Sequence, residues 1–144
     1  TKLVSSRDES LPYVLLDSDN VGKDYQKQLK KGRYRDEKEK VVGVGDFLGD
    51  KDWEIEDLIP AESLISIIDR RYRSDQYFED VYREGEPIVD QIEGWAKNNL
   101  ISLEDGWKVE IARIAQNRFD SIMKSIPEET YKKWIELFET LTKE

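Results

Sequence analysis

The sequence contains neither cysteine nor histidine among its 144 residues. Without thiolate or imidazole groups, this chain cannot by itself form a zinc hydrolase site or a Ser-His-Asp or Cys-His catalytic arrangement. The absence of cysteine also excludes disulfide bonds, so cysteine usage does not indicate a redox compartment. The groups that remain for chemistry are carboxylates, lysine, arginine, tyrosine and hydroxyls.

Net positive charge and long apolar runs are also missing. The formal net charge is −9, whereas proteins that coat nucleic acids or anionic membranes carry a broad positive field. No segment approaches the roughly 18 apolar residues of a membrane-spanning helix, and the N-terminus lacks the pattern of a signal peptide. We therefore expect a cytoplasmic protein with no membrane partner.

Residues 1–74 show the pattern of an α/β lobe. The apolar run 13–17 predicts a buried strand, residues 22–31 predict a helix that Gly32 caps, and residues 41–44 predict a second strand. Leu3 and Val4 suggest the remainder of an earlier strand. A strand, a helix and a strand in this order imply a parallel pair with a right-handed crossover.

Residues 75–144 show helical periodicity throughout and predict an all-helical lobe. Pro60, Pro87 and Pro127 stand where helices begin, and apolar spacing predicts a short helix near 77–82 and one long helix over 107–123. The side chains that we expect in the helical core are Trp95, Trp107 and Phe119, together with Tyr131, Trp134, Ile135, Phe138 and Leu141 of the last helix. The fold class is therefore α/β, with a parallel sheet fragment followed by a helical C-terminal lobe.

Two acids, Asp17 and Asp19, follow the first predicted strand. Open α/β sheets bind ligands at the carboxyl ends of their strands. If the strand continues, alternation places both carboxylates on one face and Ser18 on the other, so both acids could bind one Mg²⁺ or Mn²⁺ ion. The alternative is that an Asp at this position caps the next helix, where Asp is favoured.

The strand ending in Asp-x-Asp, the second strand and the segment Trp53–Pro60 (Trp-Glu-Ile-Glu-Asp-Leu-Ile-Pro) resemble the Toprim domain of OLD-family (overcoming lysogenisation defect) ATP-dependent endonucleases. Toprim nucleases of Gabija-like and retron-associated defence systems look similar. The resemblance covers residues from about 13 to 60. It implies Mg²⁺-dependent hydrolysis of phosphodiester bonds in DNA, a function in phage defence and a parallel Toprim sheet.

The resemblance also implies roles for individual residues. Asp17 and Asp19 would be metal ligands, and Glu56 is the first choice for a further acid. Glu54 is the next choice, because it lies on the same face as Glu56 if that segment is extended. Lys108 would be the lysine that some family members place near the scissile phosphate, although a surface lysine is the alternative.

One departure from the family pattern affects the whole interpretation. The first Toprim element of the family is a strand that ends in Glu-Gly, and Glu9 has neither a preceding strand nor a following glycine. The ATPase region that the resemblance implies would lie upstream of the sequence, which begins with Thr1. We therefore expect the C-terminal part of a larger nuclease that is inactive on its own.

Two clusters of basic residues, near positions 30–35 and 70–73, can each be interpreted in two ways. They could hold a DNA backbone, with Tyr34 and Tyr72 stacking on bases, or they could be solvated helix ends that the helix dipole favours. The groups comprise Lys30, Lys31, Arg33 and Arg35, and Arg70, Arg71 and Arg73.

Two other functions remain open. One is a non-catalytic interaction or assembly domain whose helical part packs against another subunit, which includes formation of a homo-oligomer. The other is a Mg²⁺-dependent phosphotransferase of a different α/β family.

Overall fold

The structure is a computed structural model that describes residues 10–143. Leu3, Val4 and Glu9 lie outside the described residues. Strand β1 (Val14–Leu16) pairs in parallel with strand β2 (Val41–Gly43), with Val14 opposite Val41. Helix α1 (Asn20–Lys31) connects them. The predicted parallel pair is confirmed.

The first strand is shorter and less buried than predicted. β1 ends at Leu16 and its three side chains are half-buried, whereas β2 is buried. Within residues 10–143, β1 pairs only with β2. The second strand also ends early, because Val44 precedes the short helix α2 (Gly45–Leu48) and is not part of β2.

Most of the described chain is helical. Pro60, Pro87 and Pro127 each stand immediately before a helix, as predicted, because the fixed φ of proline suits a helix start. The short helix expected near 77–82 is a single 3₁₀ turn, Phe78–Asp80. Residues 10–143 contain two strands and seven α-helices, so the fold is a mostly helical α/β fold. The remaining helices are α3 (Ala61–Arg71), α4 (Ile88–Asn98), α5 (Trp107–Asn117), α6 (Phe119–Ser125) and α7 (Glu128–Leu141).

The long helix predicted over 107–123 is broken in two. α5 ends at Asn117, Arg118 leaves helical geometry with φ −103° and ψ 12°, and α6 follows. Phe119, predicted to lie in the core, is 52% exposed. Neither glycine nor proline occurs near Arg118, so the local sequence gives no signal for the break. Both predictions were wrong because a continuous apolar pattern does not report such a break.

The core lies among α3, α4, α5 and the turn that contains Phe78. Phe78 and Ile68 are fully buried, and the rings of Phe78 and Trp95 lie 5.7 Å apart. Trp95 and Trp107 are core residues, as predicted. Since α3 belongs to this core, a helix assigned by sequence to the first lobe packs with helices of the second. The division at residue 74 stays a prediction.

Helix α7 exposes much of its apolar surface. Leu137 is buried and Trp134 packs against the core, and the indole Nε1 of Trp134 donates to the carbonyl oxygen of Leu58 at 2.5 Å. Tyr131, Ile135 and Phe138 are 43%, 40% and 57% exposed. The expectation that α7 buries these three residues was wrong, because the helix is apolar on two faces and only one is packed. None of the described helices could span a membrane.

Candidate functional site at the carboxyl end of strand β1

Asp17 follows β1 directly and is tied to the segment that carries the other predicted acids. Its Oδ1 accepts a hydrogen bond from the backbone N–H of Ile55 at 2.8 Å. The next residue, Ser18, donates its backbone N–H to the carbonyl oxygen of Trp53 at 2.7 Å. These two bonds bring the end of the strand beside the segment that contains Glu54 and Glu56.

That segment is not extended, and extended geometry was the condition for placing Glu54 and Glu56 on one face. Residues Ile55–Leu58 form a 3₁₀ turn that Glu54 precedes. The carboxylate of Asp57 stabilises the turn, since it accepts the backbone N–H of Glu54 at 2.9 Å and that of Ile88 at 2.8 Å. The alternation used to place Glu54 and Glu56 on one face therefore does not apply.

Glu54 forms an ion pair with Lys108, which lies in the first turn of α5. The side chains are 15% and 35% exposed, respectively, so the pair is largely shielded from solvent. Burial raises the pKa of Glu54, the hydrogen bond from Lys108 opposes this, and the charges of Glu56 and Asp17 raise it further. Burial acts to lower the pKa of Lys108, but its interactions with Glu54 and the charge of Glu56 outweigh burial and raise it.

Four of the predicted site residues thus share one neighbourhood: Asp17, Glu54, Glu56 and Lys108. Asp19 has a different role. It is the N-cap of α1, and its Oδ1 accepts the backbone N–H of Gly22 at 2.7 Å. Because β1 ends at Leu16, the condition under which Asp17 and Asp19 would share a strand face is not met.

Metal binding requires several oxygen ligands around one point. Within residues 10–143, no group of three or more acids is arranged to hold a metal ion. The carboxylate of Glu54 is already engaged by the ammonium group of Lys108. Asp17 and Glu56 have the hard oxygen donors that Mg²⁺ prefers, but with the residues as placed they do not form a complete ligand set.

Tyr34 and Tyr72 are both engaged within the fold. Tyr34 is 4% exposed and its hydroxyl donates to the carbonyl oxygen of Pro12 at 2.9 Å, so the expectation that it stacks on bases was wrong. The hydroxyl of Tyr72 donates to Glu104 at 2.6 Å, and Arg71 pairs with the same carboxylate. The exposed members of the two basic groups are Lys31, Arg33, Arg35, Arg70, Arg71 and Arg73.

Asp57 was not singled out from the sequence, although it connects the candidate site to α4. A signal was available, because an acid three residues after the residue that starts a turn can cap that turn. Burial raises the pKa of Asp57, and the two backbone hydrogen bonds that it accepts oppose this shift. Comparisons with protein-family models, curated proteins and solved structures gave no match to this chain.

Proposed function

We propose that this chain is the C-terminal Toprim portion of an OLD-type, Mg²⁺- or Mn²⁺-dependent endonuclease that hydrolyses phosphodiester bonds in DNA. The proposal includes a cytoplasmic location and an ATPase region in the same full-length protein. The observation that carries it is the hydrogen bond between Asp17 and the backbone of Ile55. It joins an acid at the carboxyl end of a parallel strand to the segment that resembles the acidic segment of that family.

The proposed roles are those that the resemblance implies, placed on the residues of this site. Asp17 and Glu56 supply oxygen ligands, and Asp19 adds to the negative charge near the strand end while its Oδ1 caps α1. Lys108, paired with Glu54, is the group proposed to contact a DNA phosphate. Since the described residues lack a complete ligand set, the other ligands come from outside them, and no cleavage step is assigned to this chain alone.

The experiment is a titration of the chain with Mn²⁺, followed by the electron paramagnetic resonance signal of the free ion. Asp17→Asn removes the charge but keeps an oxygen that can accept the N–H of Ile55. The matched control is Asp36→Asn, which alters an acid that is 87% exposed and lies outside the site. We expect Asp17→Asn to weaken Mn²⁺ binding about tenfold or more, and Asp36→Asn to leave it unchanged. Equal binding by all three proteins would contradict the proposal.

A second candidate function, an assembly domain, is favoured by the exposed face of α7. Tyr131, Ile135 and Phe138 are spaced to form one apolar stripe along this helix. Lys132 lies toward one end of the stripe and Glu139 toward the other. An antiparallel pairing of two α7 helices would bury the apolar stripe against its copy and place Lys132, which pairs with Glu128 of its own chain at 2.9 Å, near Glu139 of the other copy. This makes a second copy of the chain the proposed partner.

Sedimentation equilibrium tests this assembly. We expect the wild type to form a dimer that Phe138→Ser dissociates. A wild type that stays monomeric at the highest attainable concentration would exclude self-association through α7. Mn²⁺ binding and sedimentation are independent measurements, so either the nuclease function or the assembly function can be contradicted while the other stands.

A further inference from the structure

A small pocket lies between α3, α7 and the segment that precedes α4, and the charged residues Asp57, Glu86 and Lys133 line it together with apolar side chains. Its volume is about 260 Å³, below the roughly 300 Å³ at which pockets for drug-sized ligands begin. The pocket is therefore of a size for one large side chain. Its apolar walls are formed by Leu48, Trp53, Leu58, Ile59, Pro60, Ala61, Tyr82, Ile88 and Trp134.

This pocket adjoins a wider groove of about 830 Å³ along α3 and the start of α7. The two spaces are neighbours, because six residues line both of them. A shallow groove with one deeper apolar pocket is the form of surface that recognises a peptide through an anchoring side chain. The shared residues are Pro60, Ala61, Tyr82, Gly85, Thr130 and Lys133.

The groove carries an excess of negative charge. Five acids line it against two basic residues, and one of the latter, Lys133, already pairs with Glu129 at 3.5 Å. Three of the acids, Glu62, Glu79 and Glu84, are exposed and form no ion pair within residues 10–143. This excess favours an occupant with positive charges spaced along its length.

Trp53, in the wall of the pocket, has an unsatisfied hydrogen-bond donor. Its Nε1 is buried and has no acceptor among the described residues. Buried donors without a partner are rare in native proteins. Because this nitrogen has almost no exposed surface, an occupant of the pocket would contact the ring of Trp53 and not this donor.

We propose that the groove binds an extended basic segment of a partner protein. One bulky apolar side chain of that segment enters the pocket beside Trp53, Tyr82 and Trp134. Lysine or arginine residues on either side of it face Glu62, Glu79 and Glu84. This docking surface does not depend on the proposed nuclease function, since it uses none of the residues assigned to metal or phosphate.

The test uses a fluorescein-labelled peptide of sequence Lys-Arg-Lys-Phe-Lys-Arg-Lys and a second peptide in which alanine replaces the phenylalanine. Binding is measured by fluorescence polarisation at low and high salt. We expect the phenylalanine peptide to bind at least about fivefold more tightly than the alanine peptide, a preference typical of one apolar group entering a pocket. We also expect affinity to fall at high salt, because the rim charges are exposed.

Two triple variants decide whether the groove is the binding site. The groove variant should weaken binding about tenfold, whereas a control variant that removes three exposed acids outside the groove should bind like the wild type. All the altered side chains are exposed, so both variants should fold. The groove variant combines Glu62→Gln, Glu79→Gln and Glu84→Gln, and the control combines Glu93→Gln, Asp120→Asn and Glu136→Gln.

Several outcomes would overturn the proposal. They are no binding at peptide concentrations up to about 1 mM, equal affinity for the two peptides, or equal losses in the two triple variants. The other occupant that such a groove allows is a second copy of this chain, and sedimentation equilibrium of the same proteins tests for it. If the wild type forms a dimer that the groove variant dissociates, the occupant is a second copy of this chain and the peptide proposal is wrong.

Discussion

A β-carbon added to Gly22 would lie 1.9 Å from the carbonyl oxygen of Asp17. The approach is so close because α1 begins at Asn20, three residues after Asp17, and Asp19 caps it by accepting the N–H of Gly22. Only a residue without a side chain allows the first turn of α1 to lie against the end of β1. Gly22 therefore helps to fix the position of the candidate site.

We predict that Gly22→Ala destabilises the fold by about 3 kcal/mol, the upper part of the range for overpacking, because the obstructing atom belongs to the backbone. Gly94, in the interior of α4, is the matched control, since an added β-carbon there meets no atom within 4 Å. Gly94→Ala should stabilise the protein by about 0.5 to 1 kcal/mol through helix propensity. Urea unfolding followed by circular dichroism measures both changes, and equal effects would show that the contact with Asp17 does not matter.

The sequence identified the acids of the candidate site but not their partners. Asp19 caps a helix, which was the alternative drawn from the preference of Asp for that position. The bond from Ile55 to Asp17 joins residues 38 positions apart, and the ion pair of Lys108 with Glu54 spans 54. Such contacts depend on how distant segments pack, and local periodicity carries no information about that.

At the scale of elements, helix starts were easier to predict than helix ends. Pro60, Pro87 and Pro127 mark three starts because proline restricts the backbone locally. The break at Arg118 has no such marker. Residues Ile55–Leu58 form a turn and not an extended strand because Asp57 accepts backbone hydrogen bonds from Glu54 and Ile88, and only the bond from Glu54 is local.

The C-terminal end of α3 is joined to the segment before α5 through Glu104. The hydroxyl of Tyr72 and the guanidinium of Arg71 both donate to its carboxylate. These hydrogen bonds, that from Tyr72 first, lower the pKa of Glu104 from 4.5 to about 2. Since the folded-state pKa is the lower one, the stabilisation is present above about pH 4.5 and is lost as the pH falls toward 2.

We therefore predict that Glu104→Gln lowers Tm at pH 6, and that the difference in Tm from the wild type shrinks as the pH falls from 4.5 to 3. Glutamine keeps an acceptor for Tyr72 but lacks the charge that changes with pH. Thermal melts at closely spaced pH values measure this difference. Tyr72→Phe is the companion variant. It removes one of the hydrogen bonds that Glu104 accepts, so the Tm of this variant should depend less on pH than that of the wild type. If the difference in Tm between the wild type and Glu104→Gln stays constant with pH, the charge of Glu104 does not stabilise the fold.

At the scale of the whole molecule, burial is distributed unevenly. The main core joins α3, α4 and α5 around Phe78, whereas β1 is only half-buried. Helix α1 is 12 residues long, yet Gly22 is its only buried residue. The sequence predicted the parallel pair and the helical core, but a boundary at 74 separates α3 from the helices with which it packs.

Amide hydrogen exchange of the native protein tests this distribution of stability. Helices α1 and α4 have similar lengths, 12 and 11 residues, but α4 buries five side chains in or beside the core. Because regions with few buried contacts open at lower free energy than the core, amides of α1 should exchange well before those of α4. Amides of α3 should exchange at rates similar to those of α4 and α5, because the three helices share one core.

The behaviour of α3 decides between two divisions of the chain. If the amides of α3 exchange at the rates of those in α4 and α5, the cooperative unit begins near Pro60, and β1, α1 and β2 form a separate unit that contributes Asp17 to the candidate site. If the amides of α3 exchange at the rates of those in α1 instead, the predicted boundary at residue 74 is confirmed. Equal protection of α1 and α4 would exclude both divisions and make the described chain one cooperative unit. In the first case, contacts that cross this boundary, such as the ion pair of Glu54 with Lys108 and the hydrogen bond from the backbone N–H of Ile88 to Asp57, couple the two units. Asp17→Ala should then speed exchange in α1 and leave α4 unchanged, because it removes a contact with Ile55 in the part of the chain before Pro60 and none within the core.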